Sequence, residues 1–255
     1  MSNYKKVMVL IFFVIVLSGC SSKIDRTISP PSDTEWVNIT IKNPSQYTRP
    51  SPIIARYISY TCLKRRISGF DGSLVTEPNY SAINVQLKQQ ANDIWEGKVA
   101  ITGGGWCDWK LSVVTLDVKY TDTSHIEENL ESESTITAEI AFDGDALRHK
   151  RYTVVDSDNL FLTPKYYLLI REHHMSEEYK TISFFCRDDC CLFLFKKIRN
   201  VTFSPIIDES KIVRVIGQKR KVPGLYSKMI YPDGSIAPER TFSPDFDKVD
   251  EMKLK

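Results

Sequence analysis

Apolar and polar residues alternate along much of the chain. Val37-Asn38-Ile39-Thr40-Ile41 and Ile83-Asn84-Val85-Gln86-Leu87 put every second side chain on an apolar face, the period of a half-buried strand. Residues 95–101 and 109–120 predict two longer strands, and 135–142, 166–171, 181–185, 192–198 and 212–216 complete the set. Between the first two longer strands stand Gly103-Gly104-Gly105. Three glycines there predict a sharp hairpin turn, since glycine takes positive φ without a Cβ clash. A phosphate cradle is the alternative, but the run lacks the GxxxxGK[ST] spacing and a helix after it. Tyr231-Pro232-Asp233-Gly234-Ser235 has type I turn chemistry. Residues 81–94 fit a helix or a strand. The expected fold is mainly β: an antiparallel sandwich, or two small packed β domains, stapled by disulfides.

One segment departs from the alternation. Lys5 and Lys6 precede an unbroken apolar run from Val7 to Leu17. As a helix it spans roughly 16 Å, about half of a bilayer's ~30 Å of hydrocarbon, which suits an export signal and not a permanent span. The run ends in Leu17-Ser18-Gly19-Cys20, which resembles the lipobox of bacterial lipoproteins. The resemblance implies cleavage before Cys20, a diacylglycerol on its sulfur, and, with Ser21 next, sorting to the outer membrane. Polar residues with Pro30-Pro31 follow and predict an extended spacer. The expected organisation is a signal peptide over 1–19 and a lipidated cysteine with flexible tether over 20–35. An N-terminal β region over 36–145 and a C-terminal β region over 146–240 follow, with a flexible tail over 241–255. The internal boundary rests on Asp143-Gly144-Asp145 and Asp156-Ser157-Asp158-Asn159; a single sandwich body is the alternative.

Composition narrows the function. Hydrophobic residues make up 42% of the chain, enough for a substantial core. The formal charge of +2 resides in Lys5 and Lys6, so the chain after the signal is neutral and lacks the positive field that holds nucleic acid. Charge is nevertheless uneven. Asp122, Glu127, Glu128, Glu131, Glu133, Glu139, Asp143 and Asp145 follow one another without a Lys or Arg, while 211–228 carries Lys211, Arg214, Lys219, Arg220, Lys221 and Lys228 without an acid. Asp122, Glu127, Glu128, Glu131 and Glu133 are the candidate partner-binding residues, because an acidic stretch steers a basic partner; a solvated loop is the plain alternative. Trp106 and Trp109 flank Cys107 and are either binding anchors or core.

Export makes disulfides the default for the remaining cysteines, Cys62, Cys107, Cys186, Cys190 and Cys191. A Cys62–Cys107 bridge closes a loop that the chain-entropy model values at about 4 kcal/mol. Cys186 has Cys190 or Cys191 within a short turn, and five thiols leave one over. Zinc held by Cys186, Cys190 and Cys191 with His173 and His174 is the alternative, although CxxxCC matches no zinc signature. The chain holds no HExxH and no GxSxG, so a zincin or a nucleophile elbow is not indicated. No enzyme activity, cofactor or metal is expected.

The lipobox, the run Gly103-Gly104-Gly105-Trp106-Cys107-Asp108-Trp109-Lys110 and the overall size resemble the immunity lipoproteins paired with type VI secreted phospholipases. That resemblance implies a periplasmic, lipid-anchored protein that occludes a lipase effector before it reaches phospholipid. A structural or assembly lipoprotein of an outer-membrane or secretion complex shares the same features, and a periplasmic hydrolase requires a cleft of titratable residues with shifted pKa values.

Overall fold

The computed structural model describes residues 24–144, 152–175, 177–187, 192–195 and 199–253; Cys20, His149, Cys190 and Cys191 lie outside them. The described chain is mainly strand, arranged in three sheets. The first runs β11 (Thr153–Val155), β15 (Leu192–Phe195), β10 (Ile136–Ala141), β8 (Trp109–Tyr120), β3 (Ile53–Ile67) and β4 (Leu74–Val85). Two short strands, β2 (Thr48–Pro50) and β7 (Thr102–Gly104), also pair with β8. The second sheet runs β12 (Asn159–Leu162), β16 (Asn200–Phe203), β1 (Trp36–Lys42), β6 (Ile94–Ala100) and β5 (Lys88–Gln89). The third runs β18 (Lys228–Ile230), β17 (Ile206–Ile216), β13 (Lys165–His173), β14 (Tyr179–Phe185) and β9 (Leu130–Ser132). Residues 81–94 resolve as the end of β4 followed by β5 and the start of β6, not as a helix.

The alternation in the sequence builds the main core. Val37, Ile39 and Ile41 of β1 are buried, as are Val114, Leu116 and Val118 of β8 and Ile136, Ala138 and Ile140 of β10. These residues share one cluster with Val201 and Phe203, so the first two sheets face each other as a sandwich. Tyr57 fills its centre and donates its hydroxyl to Ala100 O at 2.8 Å, and burial pushes its pKa up to about 12. The sheets are mixed. Neighbours in sequence pair antiparallel, whereas β1 with β16, β10 with β15 and β13 with β17 pair parallel across long stretches of chain. Side-chain alternation is identical in both kinds of ladder, so strand direction is invisible to it.

Strand pairing ignores the boundary expected at 145/146. β16 and β12 complete the sheet of β1, and β15 extends the sheet of β10, so both sheets draw strands from either side of it. The third sheet likewise takes β9 from before the boundary and the rest from after it. Expecting two sequential β regions fails because loops that break an alternating pattern also serve as crossovers within one sandwich.

The tether is another correction. Its described part, from residue 24 on, is seated on the triple-glycine run: Ser29 N donates to Gly103 O at 2.8 Å, and the Trp109 indole donates to Arg26 O at 3.1 Å. Asp25 O lies 3.6 Å from Cys107 Sγ. Gly104 and Gly105 adopt φ of 56° and 69°, and a Cβ on them would sit 2.5 Å from Ser29 O and 2.4 Å from Thr27 O. Of the three glycines expected to turn the chain, Gly103 and Gly104 end β7 and only Gly105 enters the turn, which runs to Asp108; Gly104 and Gly105 also let residues 27–29 approach the backbone. The space a phosphate would occupy in a cradle holds the protein's own carbonyls. Polarity and prolines mark this segment as irregular, but backbone hydrogen bonds to a groove hold it in place without any side-chain pattern.

The tail is a third. Residues Phe246–Glu251 form a helix, α1, with Asp245 capping Lys248 N at 3.1 Å. Val249 is fully buried against Tyr167, Val213 and Met229 of the third sheet. Lys211 donates to Val249 O and Asp250 O at 2.9 and 2.7 Å, so the helix C-terminus is satisfied by a cation. One turn of helix carries too short a pattern to stand out in the sequence.

The β3–β4 hairpin projects from the sandwich. β3 pairs with β8 only as far as Ile58↔Lys110, and beyond Ser59↔Asn79 it pairs with β4 alone. A bulge separates Ser59 from Lys64, and within it Cys62 is disulfide-bonded to Cys107, with Cα atoms 5.2 Å apart. Ser59 Oγ donates to Cys107 O at 2.6 Å, tying the hairpin's base to the turn a second time.

Candidate binding face

The acidic segment leaves the end of β8 and enters the third sheet as its edge strand. At the junction Tyr120 packs with Leu130, Leu168, Ile170 and Ile182. Its hydroxyl donates to Glu209 Oε1 at 2.7 Å; burial first, and the Glu209 carboxylate second, push the phenol well above its usual range. His125 stacks on Tyr47 at 3.6 Å between centroids and reaches Glu209 at 3.3 Å. The loop is closed by its own small polar residues. Asp122 accepts from Ser124 N at 2.9 Å; the Ser124 hydroxyl first, and this N–H second, hold its carboxyl below the usual range, and Thr123 Oγ1 donates to Leu130 O at 2.6 Å. Asn129 supplies the left-handed residue, φ 57°, that turns the chain into β9.

The five expected partner-binding carboxylates have different surroundings. Asp122, Glu128, Glu131 and Glu133 are exposed. Glu127 is turned inward to pair with Lys180 on β14 and, at 2.9 Å, with Arg214 on β17. The Lys180 ammonium first, and the Arg214 guanidinium with it, hold the Glu127 carboxyl below its usual range. Arg214 also lies 3.7 Å from Glu172, which is 3.7 Å from His174. The acidic and basic runs of the sequence thus meet within the protein. Lys180 and Arg214 stand 53 and 87 residues beyond Glu127, a separation that no local charge pattern bridges.

Beside this network is a cleft of about 460 Å³, walled by Arg171, His173, His174, Met175, Gln218 and Lys221. His173 stacks on Tyr179 at 4.3 Å, reaches Thr181 Oγ1 at 3.2 Å and lies 4.0 Å from Glu133. His173 and His174 therefore engage different partners on either side of the strand end, as adjacent residues should. Among the described residues no group of three or more His, Cys, Asp or Glu is arranged to hold a metal ion. Cys186 is disulfide-bonded, which withdraws its sulfur from the zinc alternative; Cys190 and Cys191 lie outside the described residues.

The two tryptophans have opposite fates. Trp109 is fully buried in the main core and Trp106 is 75% exposed. Sequence reasoning passed over the projecting β3–β4 hairpin, although Gly69 and Gly72 around Phe70-Asp71 were a turn signal between two β-rich runs. No family model, curated protein or solved structure matches the chain.

Proposed function

We propose that the protein is a periplasmic lipoprotein, acylated at Cys20 and held at the outer membrane, that binds and neutralises a partner protein. The concrete form of this reading is an immunity protein against a type VI secreted phospholipase. The observation that carries it is the separation of the two ends of β8. Asp25, from which the chain leaves toward Cys20, lies against Cys107, and Arg26 O accepts from Trp109 at the start of the strand. The exposed carboxylates Asp122, Glu128, Glu131 and Glu133 gather beyond Tyr120 at its finish. A twelve-residue strand spans roughly 36 Å, so an anchor at one end leaves the acidic face clear of the lipid. Such a face attracts a basic partner and speeds its docking, and occlusion then requires affinity alone. The disulfides at Cys62–Cys107 and Cys186 accord with an oxidising compartment.

The test is capture of tagged protein from cells that make the adjacent secreted lipase-like toxin. A stable complex and protection of the cells are expected. Absence of both overturns the reading. Failure of labelled palmitate to enter the chain overturns its anchored part.

A further inference from the structure

We infer that the tip of the β3–β4 hairpin rests on the lipid surface to which Cys20 ties the chain, an inference that depends on the acylation proposed above. Three observations on the same end of the molecule converge. The first is apolar exposure. Phe70 at the tip is 99% exposed, Ile67 is 72% exposed and Leu74, its cross-strand partner, is 64% exposed. Cross-strand partners share a face, so Ile67 and Leu74 form one apolar patch leading to Phe70. Nothing within the described residues pairs with the hairpin beyond Ser59 except its own two strands. Exposed aromatics, Tyr60 and Trp106, stand at its base, the ring type that favours the headgroup layer.

The second observation is the exit of the chain. Asp25 O lies 3.6 Å from Cys107 Sγ, and Cys107 is bonded to Cys62 in the hairpin's base. The chain from Asp25 back to Cys20 extends at most roughly 17 Å. From Cys62 the hairpin reaches out roughly 20 Å to Phe70. A tether this short, its inner half docked on Gly103–Gly105, keeps the hairpin's base close to the bilayer, and the tip reaches as far as the acylated residue does.

The third is charge. Lys64, Arg65 and Arg66 follow the disulfide toward the tip, with Lys64 and Arg66 sharing Glu77 at 3.2 and 2.9 Å. Three cations against the one Glu77 carboxylate leave this flank net positive, and at that height it meets anionic headgroups. Asp71 remains at the tip, but its carboxylate is folded back to accept from Ser73 N and Ser73 Oγ at 3.1 and 2.8 Å. An ionised turn there limits the tip to headgroup depth and keeps it out of the hydrocarbon. The hairpin therefore acts as a strut that sets the body's orientation and aims the acidic face outward.

The experiment uses the protein extracted from membranes and reconstituted into phosphatidylethanolamine–phosphatidylglycerol vesicles with or without brominated acyl chains. It carries Phe70→Trp, or Phe242→Trp on the exposed segment beside the third sheet, as reporter. Brominated lipid is expected to extinguish the emission added by Phe70→Trp and to spare that added by Phe242→Trp. Equal quenching of both, or quenching of neither, in palmitate-labelled protein overturns the strut while leaving the anchor intact. A preparation with no label at Cys20 removes the anchor, and the strut falls with it. Emission from Phe70→Trp that shifts on adding a captured partner protein, and not with brominated lipid, assigns the tip to protein and overturns the inference.

Discussion

Glycine does different work at different points of this chain. Gly224 has φ 83° with open space where a Cβ would stand, so Gly224→Ala meets backbone strain alone, about 1 kcal/mol. Gly104 combines φ 56° with Ser29 O only 2.5 Å from the would-be Cβ. Gly104→Ala is expected to cost about 2–3 kcal/mol and to release residues 24–31, which urea unfolding and proteolysis at the N-terminal segment would read together. Glu127 makes a pH argument at the same scale. Its folded pKa is depressed by Lys180 and Arg214, so the stability it contributes is present above the unfolded carboxyl pKa and is lost as pH falls through the folded one. Denaturant titrations of Glu127→Gln should show a smaller loss on acidification than the parent protein, with the two proteins converging at low pH. Equal slopes would mean that the ion pairs hold no net weight.

At the scale of elements, the strands most legible in the sequence are those with one wetter and one dry face, such as β1 and the later half of β8, where alternation translates directly into burial; Leu111 to Val114 of β8 are buried on both faces. α1 is the opposite case: six residues whose stability comes from Val249 entering the third sheet's core and from Lys211 on its last carbonyls. Val249→Asp places a charge in that core and is expected to lower stability by about 3 kcal/mol or more, seen as a fall in Tm with exposure of Tyr167. The hairpin's base depends on a covalent tie instead. Loss of the Cys62–Cys107 bridge in Cys107→Ala is expected to cost about 2–5 kcal/mol. Hydrogen exchange should rise first over 59–79, because that stretch has no other strand to lean on.

For the whole molecule, the decisive arrangement is polarity along β8, with the chain's exit, disulfide and hairpin at one end and the third sheet with its acidic edge at the other. Glu127 is committed within the protein, so the surface potential of that edge rests on Asp122, Glu128, Glu131 and Glu133. If it steers a partner, replacing these four with lysine should slow association at low salt by about tenfold or more and flatten its salt dependence, while dissociation changes little. Stopped-flow mixing at two ionic strengths would decide between steering and a merely solvated edge.

Much of this protein was written locally. Alternation specified most strands, composition specified a neutral body, and two cysteines in strand and turn anticipated the bridge that forms. These features depend on neighbours a few residues apart, which the chain encodes directly. Which strands run parallel, how segments on both sides of residue 145 share sheets, and where the tether and tail come to rest were decided by tertiary structure. So was the fate of Glu127 among the five carboxylates, and of Trp109 against Trp106. Contacts of that kind join residues far apart in the chain, and their energy exists only once the intervening backbone has been brought round and its entropy spent.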